Sequence, residues 1–189
     1  MNVAFFGHRG KVGRAVVPAL EAAGHAVRGI GHGDARDVAG LDAALDFTAP
    51  DAVVANVHAC VESGVPCVVG TTGADLAEVG DQARRRGSVL FHAPNFAIGA
   101  VLIMRLAVEA ARHLPRAEIV ELHHETKRDA PSGTARATAE LLGGDGQLLT
   151  IRHDAFSREA YVPGVLLALE RVRSLPPGLT VGLDALLDV

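Results

Sequence analysis

Short apolar runs alternate with amphipathic stretches, and a glycine-rich turn follows the first run directly, with a second after the fourth. These observations predict an α/β chain. Strands spaced by helices pair in parallel, and helices cover both faces of such a sheet in the doubly wound arrangement. Beyond the fifth strand the pattern changes to a long helix and sparser strands, which predicts a smaller α+β domain.

Residues 3–6 (Val-Ala-Phe-Phe) form the first β-type run, followed by Gly7-His8-Arg9-Gly10-Lys11-Val12-Gly13 and an amphipathic helix to about 23. Residues 26–30 and 44–47 read as the second and third strands. A helix over 50–63 has Pro50 at its start, where a missing N–H is harmless, and Gly64 closing it. Residues 67–69 form a short buried strand that ends in Gly70-Thr71-Thr72-Gly73, and a helix over 74–86 and a strand over 88–91 complete the first unit. After Ala93-Pro94-Asn95-Phe96 come a helix to about 113, a strand over 118–123 and a helix over 132–142. Gly143-Gly144-Asp145-Gly146 leads to a strand over 148–151, then a helix over 162–173 and a short C-terminal segment. Strands 118–123 and 148–151, joined through a helix, are expected to pair in parallel. The domain boundaries expected are 1–94 with 159–189, and 95–158.

With 189 residues the core need not depend on staples. No apolar run approaches the roughly 20 residues that span a bilayer, and residue 3 enters an apolar run with no cationic prelude. The expectation is a cytoplasmic chain with no membrane partner. Cys60 and Cys67 lack metal-ligand spacing and read as buried thiols of a reducing compartment, with no metal site. A net charge of −4 argues against nucleic acid, and Arg84 to Arg86 fall at a helix C-terminus where cations are expected anyway. Most of the nine histidines read as scattered surface residues.

Gly7, Gly10 and Gly13 follow a strand and open a helix, as a dinucleotide loop requires: glycine permits the tight turn, close backbone approach to a pyrophosphate and close helix–sheet packing. The unit is therefore Rossmann-like, with NADPH or NADH as the expected cofactor. The acid that ends the second strand and holds a ribose hydroxyl is missing, and His32 stands where it is expected. Lys11 and Arg9 either meet a 2′-phosphate or are simply solvated, so weak discrimination between the two cofactors is expected. Gly70-Thr71-Thr72-Gly73 lies on the rim where such sheets bind ligands, although a plain β-to-α turn explains it equally well.

The stretch 121–135, Glu-Leu-His-His-Glu-Thr-Lys-Arg-Asp-Ala-Pro-Ser-Gly-Thr-Ala, places His123, His124 and Lys127 just before a helix opened by Pro131, Ser132, Gly133 and Thr134. The free N–H groups of such a turn seat an anion, and a helix N-terminus favours negative charge by about 0.3–1 kcal/mol. Protonatable groups beside an anion seat suggest chemistry on a small carboxylate.

Together these motifs resemble the 4-hydroxy-tetrahydrodipicolinate (dihydrodipicolinate) reductase family of the diaminopimelate–lysine pathway. The segments that carry the resemblance are 7–13, Asp46-Phe47-Thr48 with 70–73, 93–100, 121–135 and 151–169, in the family's order. The resemblance implies that residues 95–158 bind substrate and make oligomer contacts. It makes His123 the acid/base histidine and Lys127 the proton donor, with His124, Ser132, Gly133, Thr134 and Arg158 toward the substrate. Gly7, His8, Arg9, Gly10, Lys11, Val12, His32, Gly70, Thr71, Thr72, Ala93, Pro94, Asn95 and Phe96 would face the cofactor. The implied reaction reduces a cyclic imine dicarboxylate at C4 with loss of water. Other readings are a nucleotide-binding sensor and a reductase of another cyclic imine. One departure stands out: between Leu142 and Leu148 the chain has only a Gly-rich connector where the family has further strands. The substrate domain is thus expected to be truncated, and its small sheet to need a second copy, as a homodimer or homotetramer.

Overall fold

The computed structural model describes residues 1–113 and 151–187. The chain divides into two compact units, Met1–Ile98 with Ala155–Val189, and Gly99–Asp154.

The first unit holds six strands, β1 (Asn2–Phe6), β2 (Ala26–Ile30), β3 (Ala43–Asp46), β4 (Cys67–Val69), β5 (Val89–His92) and β6 (Gly178–Val181). They form one sheet in the order β2-β1-β3-β4-β5-β6, with every pairing parallel. Its helices are α1 (Gly13–Ala22), α2 (Pro50–Glu62), α3 (Ala77–Arg86) and, after the second unit, α5 (Val162–Arg171). A parallel sheet covered on both faces needs strands that are apolar throughout. Accordingly β3 and β4 are buried at every position, and so are Val3 to Phe6 of β1. Ala4, Phe6, Ala44, Cys67, Val69 and Leu90 share one core with Val53, Val57 and Cys60 of α2 and Val79 and Ala83 of α3. The alternate residues Val3, Phe5, Leu45, Val68 and Phe91 project from the opposite face and are fully buried there. Val16 and Leu20 of α1 and Val165 and Leu169 of α5 are buried as well, and these two helices touch.

Helix boundaries follow local chemistry. Pro50 opens α2, and Gly64 leaves it with φ +67°. The third helix starts at Ala77, later than the expected 74, because Asp75 turns its carboxylate onto the Ala77 N–H at 2.9 Å. Arg84, Arg85 and Arg86 form its last turn, and Gly87 closes it in the left-handed region at φ +71°. The third strand ends at Asp46, one residue before the expected 47. The short C-terminal segment supplies β6, an edge strand, beyond a 3₁₀ turn at Val172–Ser174 that ends the 162–173 helix early. Both cysteines are buried and free.

In the second unit, α4 (Ile98–Ala111) enters from the preceding residue of the first. Gly99 lets the His153 ring lie against it, and Arg152 pairs with Asp154 at 2.7 Å. The strand expected over 118–123, the helix over 132–142 and residues 148–150 lie outside the described residues, whereas Ile151 is described and belongs to no strand. Among the described residues no helix is long and apolar enough to cross a membrane, and no cluster of three or more His, Cys, Asp or Glu could hold a metal.

Candidate functional site

After β2 the chain crosses over β1 to form β3, so the carboxyl ends of β1 and β3 flank the switch point where open α/β sheets bind ligands. At the carboxyl ends of β1, β3, β4, β5 and β6 the first residue beyond the strand stays tied to a neighbouring strand. Gly7 donates to Ile30 O at 3.4 Å, Phe47 to Phe6 O at 3.0 Å, Gly70 to Asp46 O at 2.8 Å, Ala93 to Val69 O at 3.1 Å and Gly182 to His92 O at 2.8 Å. The rim loops therefore spring from one fixed line.

Gly7 holds φ +84°, and its α-carbon lies so near the Phe47 carbonyl that no side chain fits. Gly10 donates to Gly7 O at 2.8 Å, and Gly13 sits equally close beneath the His8 carbonyl. No side chain caps α1 at Val12, and no backbone carbonyl among the described residues accepts from the N–H groups of Lys11 and Val12. Bare N–H groups at a helix start form an anion seat. Arg9, Gly10 and Lys11 are exposed around it. His8 turns instead toward β2, its ring 2.6 Å from where a Cβ on Gly29 would stand. Three buried side-chain polar atoms among the described residues lack a partner, and two of them belong to this rim, Nδ1 of His8 and Nδ1 of His92. Burial alone holds His92 below the ordinary histidine pKa. A cradle only glycine can line, a bare helix N-terminus and two orphaned rim nitrogens fit a dinucleotide.

At the β2 corner the strand ends at Ile30 with Gly31 and His32 after it, so no acid ends the strand. His32 is exposed, but Asp34 folds back so that its carboxylate accepts the Gly31 N–H at 2.8 Å. The spacing rule missed this residue because it enters from a turn, not from the strand.

At the β3 end, Asp46 is fully buried. Its carboxylate accepts from the Thr48 N–H (3.1 Å), the Thr48 hydroxyl (2.7 Å), the Thr71 hydroxyl (2.6 Å) and Asn56 Nδ2 (2.7 Å). Phe47 covers Gly70, where no side chain fits, and joins an aromatic row with centroid separations of 5.9 Å to Phe5 and 5.3 Å to Phe96. Phe91 meets Phe96 edge-on at 6.3 Å. Asp46 and Phe47 were legible only as part of a matching segment; their signal is that they end and follow the third strand at the switch point. Thr71, Ala93 and Phe96 are buried, while Thr72 and Pro94 are exposed. Asn95 caps the start of α4 by accepting the Ala97 N–H at 2.9 Å.

The structure thus brings residues 7–12, 70–72 and 93–96 to one rim. Arg158, half-buried, opens a 3₁₀ turn (Arg158–Tyr161) capped by Ser157, and it belongs to the first unit, not the second. His123, His124, Lys127, Ser132, Gly133 and Thr134 lie outside the described residues.

Comparison with known proteins gives this rim a family. Profiles described as dihydrodipicolinate reductase, N-terminus and C-terminus, match residues 32–96 and 99–144. The 4-hydroxy-tetrahydrodipicolinate reductase of Thermobifida fusca is 40% identical over 245 aligned positions that cover all of both chains. The chain belongs to the 4-hydroxy-tetrahydrodipicolinate reductase family. The reductase of Moorella thermoacetica is 42% identical over 76% of this chain and 72% of its own. A solved dipicolinate-bound dihydrodipicolinate reductase from Paenisporosarcina sp. TG-14 superposes with TM-score 0.84 at 28% identity, covering 99% of each chain. Within this reductase family the present chain is short. The Thermobifida alignment runs over 245 positions against 189 residues here, and the C-terminal profile stops at 144, inside the Gly143–Gly146 connector.

Proposed function

We propose that the chain reduces 4-hydroxy-tetrahydrodipicolinate to tetrahydrodipicolinate with NADPH or NADH, in the diaminopimelate route to lysine. The observation that carries this reading is the full-length likeness to reductases of that name, joined to a glycine cradle at the switch point of a parallel sheet. Gly7, His8, Arg9, Gly10, Lys11, Val12 and His32 hold the adenosine and pyrophosphate side of the cofactor. Gly70, Thr71, Thr72, Ala93, Pro94, Asn95 and Phe96 hold the nicotinamide side. When bound, the reduced nicotinamide supplies the hydride. Electron density arriving on the conjugated imine must be met by a proton, and a positioned donor typically accelerates such a step about 100- to 10,000-fold. Lys127 gives that proton, with His123 as its acid/base partner. His124, Ser132, Gly133 and Thr134 seat the two carboxylates, and Arg158 adds a cation.

The chain works in the cytosol on this cyclic dicarboxylate, as a homodimer or homotetramer joined through residues 95–158. Light scattering at micromolar concentration tests the assembly, and a clean 19.6 kDa monomer refutes it. The decisive experiment for the activity generates the unstable precursor enzymatically in the cuvette and follows the loss of reduced-cofactor absorbance. Turnover that depends on the precursor is the expected result. Cofactor binding without turnover points to a sensor instead.

A further inference from the structure

Three rim elements meet at the buried carboxylate of Asp46. From its own end of β3 it holds Thr48 by both N–H and hydroxyl, and from the loop after β4 it holds the Thr71 hydroxyl at 2.6 Å. From α2 it holds Asn56 Nδ2 at 2.7 Å, whose Oδ1 in turn accepts Arg36 Nε at 2.7 Å. A carboxylate only accepts, so both hydroxyl hydrogens are committed to it. The Thr71 oxygen accepts the Thr48 N–H at 2.7 Å, which ties the two loops directly. The backbone repeats the tie, because Gly70 donates to the Asp46 carbonyl at 2.8 Å.

This pinning has a consequence for the neighbouring turn. No backbone carbonyl among the described residues accepts from the N–H groups of Thr71, Thr72 and Gly73. With the Thr71 side chain drawn down onto Asp46, those N–H groups are the donors the loop retains for a ligand. We infer that Asp46 is a positioning residue of the cofactor site: through Thr71 it sets where the 71–73 N–H groups meet the oxygen acceptors of the reduced dinucleotide. It touches neither cofactor nor substrate. The assignment rests on the functional reading above, in which this rim holds the cofactor.

Shape alone does not suffice for the role. In Asp46→Asn the amide that keeps its oxygen toward Thr71 turns its NH₂ against Asn56 Nδ2, donor against donor. Asn56 is itself oriented by Arg36 and cannot flip without losing that bond.

The test measures NADH dissociation constants by calorimetry on the full chain, together with melting curves and separate KM values for cofactor and substrate. Variants are Asp46→Asn, Thr71→Val, Thr71→Ser and the Asp46→Asn/Thr71→Val pair. Losing one hydrogen bond to a charged group corresponds to about tenfold weaker NADH binding in Thr71→Val and in Asp46→Asn. The double variant should be no weaker than the worse single, since both act through one contact. Thr71→Ser keeps the hydroxyl and should restore binding, and the substrate KM should stay level in all four. Unchanged NADH affinity in Thr71→Val overturns the inference, as do losses that multiply in the double variant. If Asp46→Asn does not fold, the Val-versus-Ser contrast at position 71 decides alone. Wild-type protein that binds no reduced dinucleotide overturns the functional reading itself, an outcome visible before any variant is made.

Discussion

The carboxylate of Asp34 stands over Gly31, accepting its N–H at 2.8 Å with Oδ2 only 3.1 Å from where a Cβ at position 31 would lie. The turn that returns Asp34 there passes through Gly33 at φ +88° and closes with the Asp34 N–H on Gly31 O at 3.3 Å. A carboxylate therefore reaches this corner through the turn, from three residues beyond Gly31.

If the ribose of the cofactor lies at this corner, a carboxylate here would accept from its hydroxyls and repel a 2′-phosphate. Asp34→Ala should shift the NADPH/NADH ratio of kcat/KM toward NADPH by about tenfold, the size of one charge-assisted hydrogen bond. The wild-type ratio itself should stay within about a thousandfold either way. An unmoved ratio in the variant removes Asp34 from cofactor choice.

Gly10 tests the cradle. A side chain at this position meets Gly7 O at 3.1 Å and projects from an exposed stretch of the anion seat. Gly10→Val should abolish detectable NADH binding, at least about a hundredfold loss, while leaving cooperative melting intact. Calorimetric binding equal to wild type would refute the seat.

Lys127→Ala should retain cofactor affinity and lose about 100- to 10,000-fold in turnover, because a proton donor acts on the reacting atoms and not on the dinucleotide. Steady-state kinetics beside a binding isotherm separate the two effects. A variant with near-normal turnover removes Lys127 from the mechanism.

His92 supplies a pH dependence. Burial holds its pKa below the ordinary value, so as pH falls through about 6.5 the unfolded chain takes up the proton before the folded one does. Stability from this group is thus complete above that pH and declines toward the lower folded-state value. Urea midpoints at pH 7.5 and 5.5 should fall more steeply for wild type than for His92→Leu. Equal slopes would mean that His92 is solvated in the folded chain.

The sheet was readable because its strands, apolar at successive positions, are bounded by glycine and proline. Gly64 and Gly87 end helices where glycine alone takes positive φ without strain. The glycine cradle was readable for the same reason, since its residue type states its backbone geometry. What escaped a linear reading was contact across the rim. Nothing in the spacing of Asp46, Asn56 and Thr71 announces that a strand end, a helix and a loop share one carboxylate. Asp34 escaped because the rule for the ribose acid counts along the strand, while the side chain arrives through a turn. His92 was not singled out and His8 was read only as part of the glycine loop, yet each has a buried Nδ1 at the rim. Burial of one ring nitrogen depends on neighbours that only the fold supplies.

Between β5 and β6 the chain leaves the sheet, builds the whole second unit and returns through α5. A ribosome that has delivered everything up to Asp154 has made five strands of this sheet and left the outer edge of β5 bare. Val89 to His92 then wait for Gly178 to Val181, with their backbone groups open to any passing strand. The sheet of the first unit is thus complete only once the inserted segment and β6 have been made. Slower, cooler expression or a chaperone at that stage should raise the yield of native chain more than any change within the finished core.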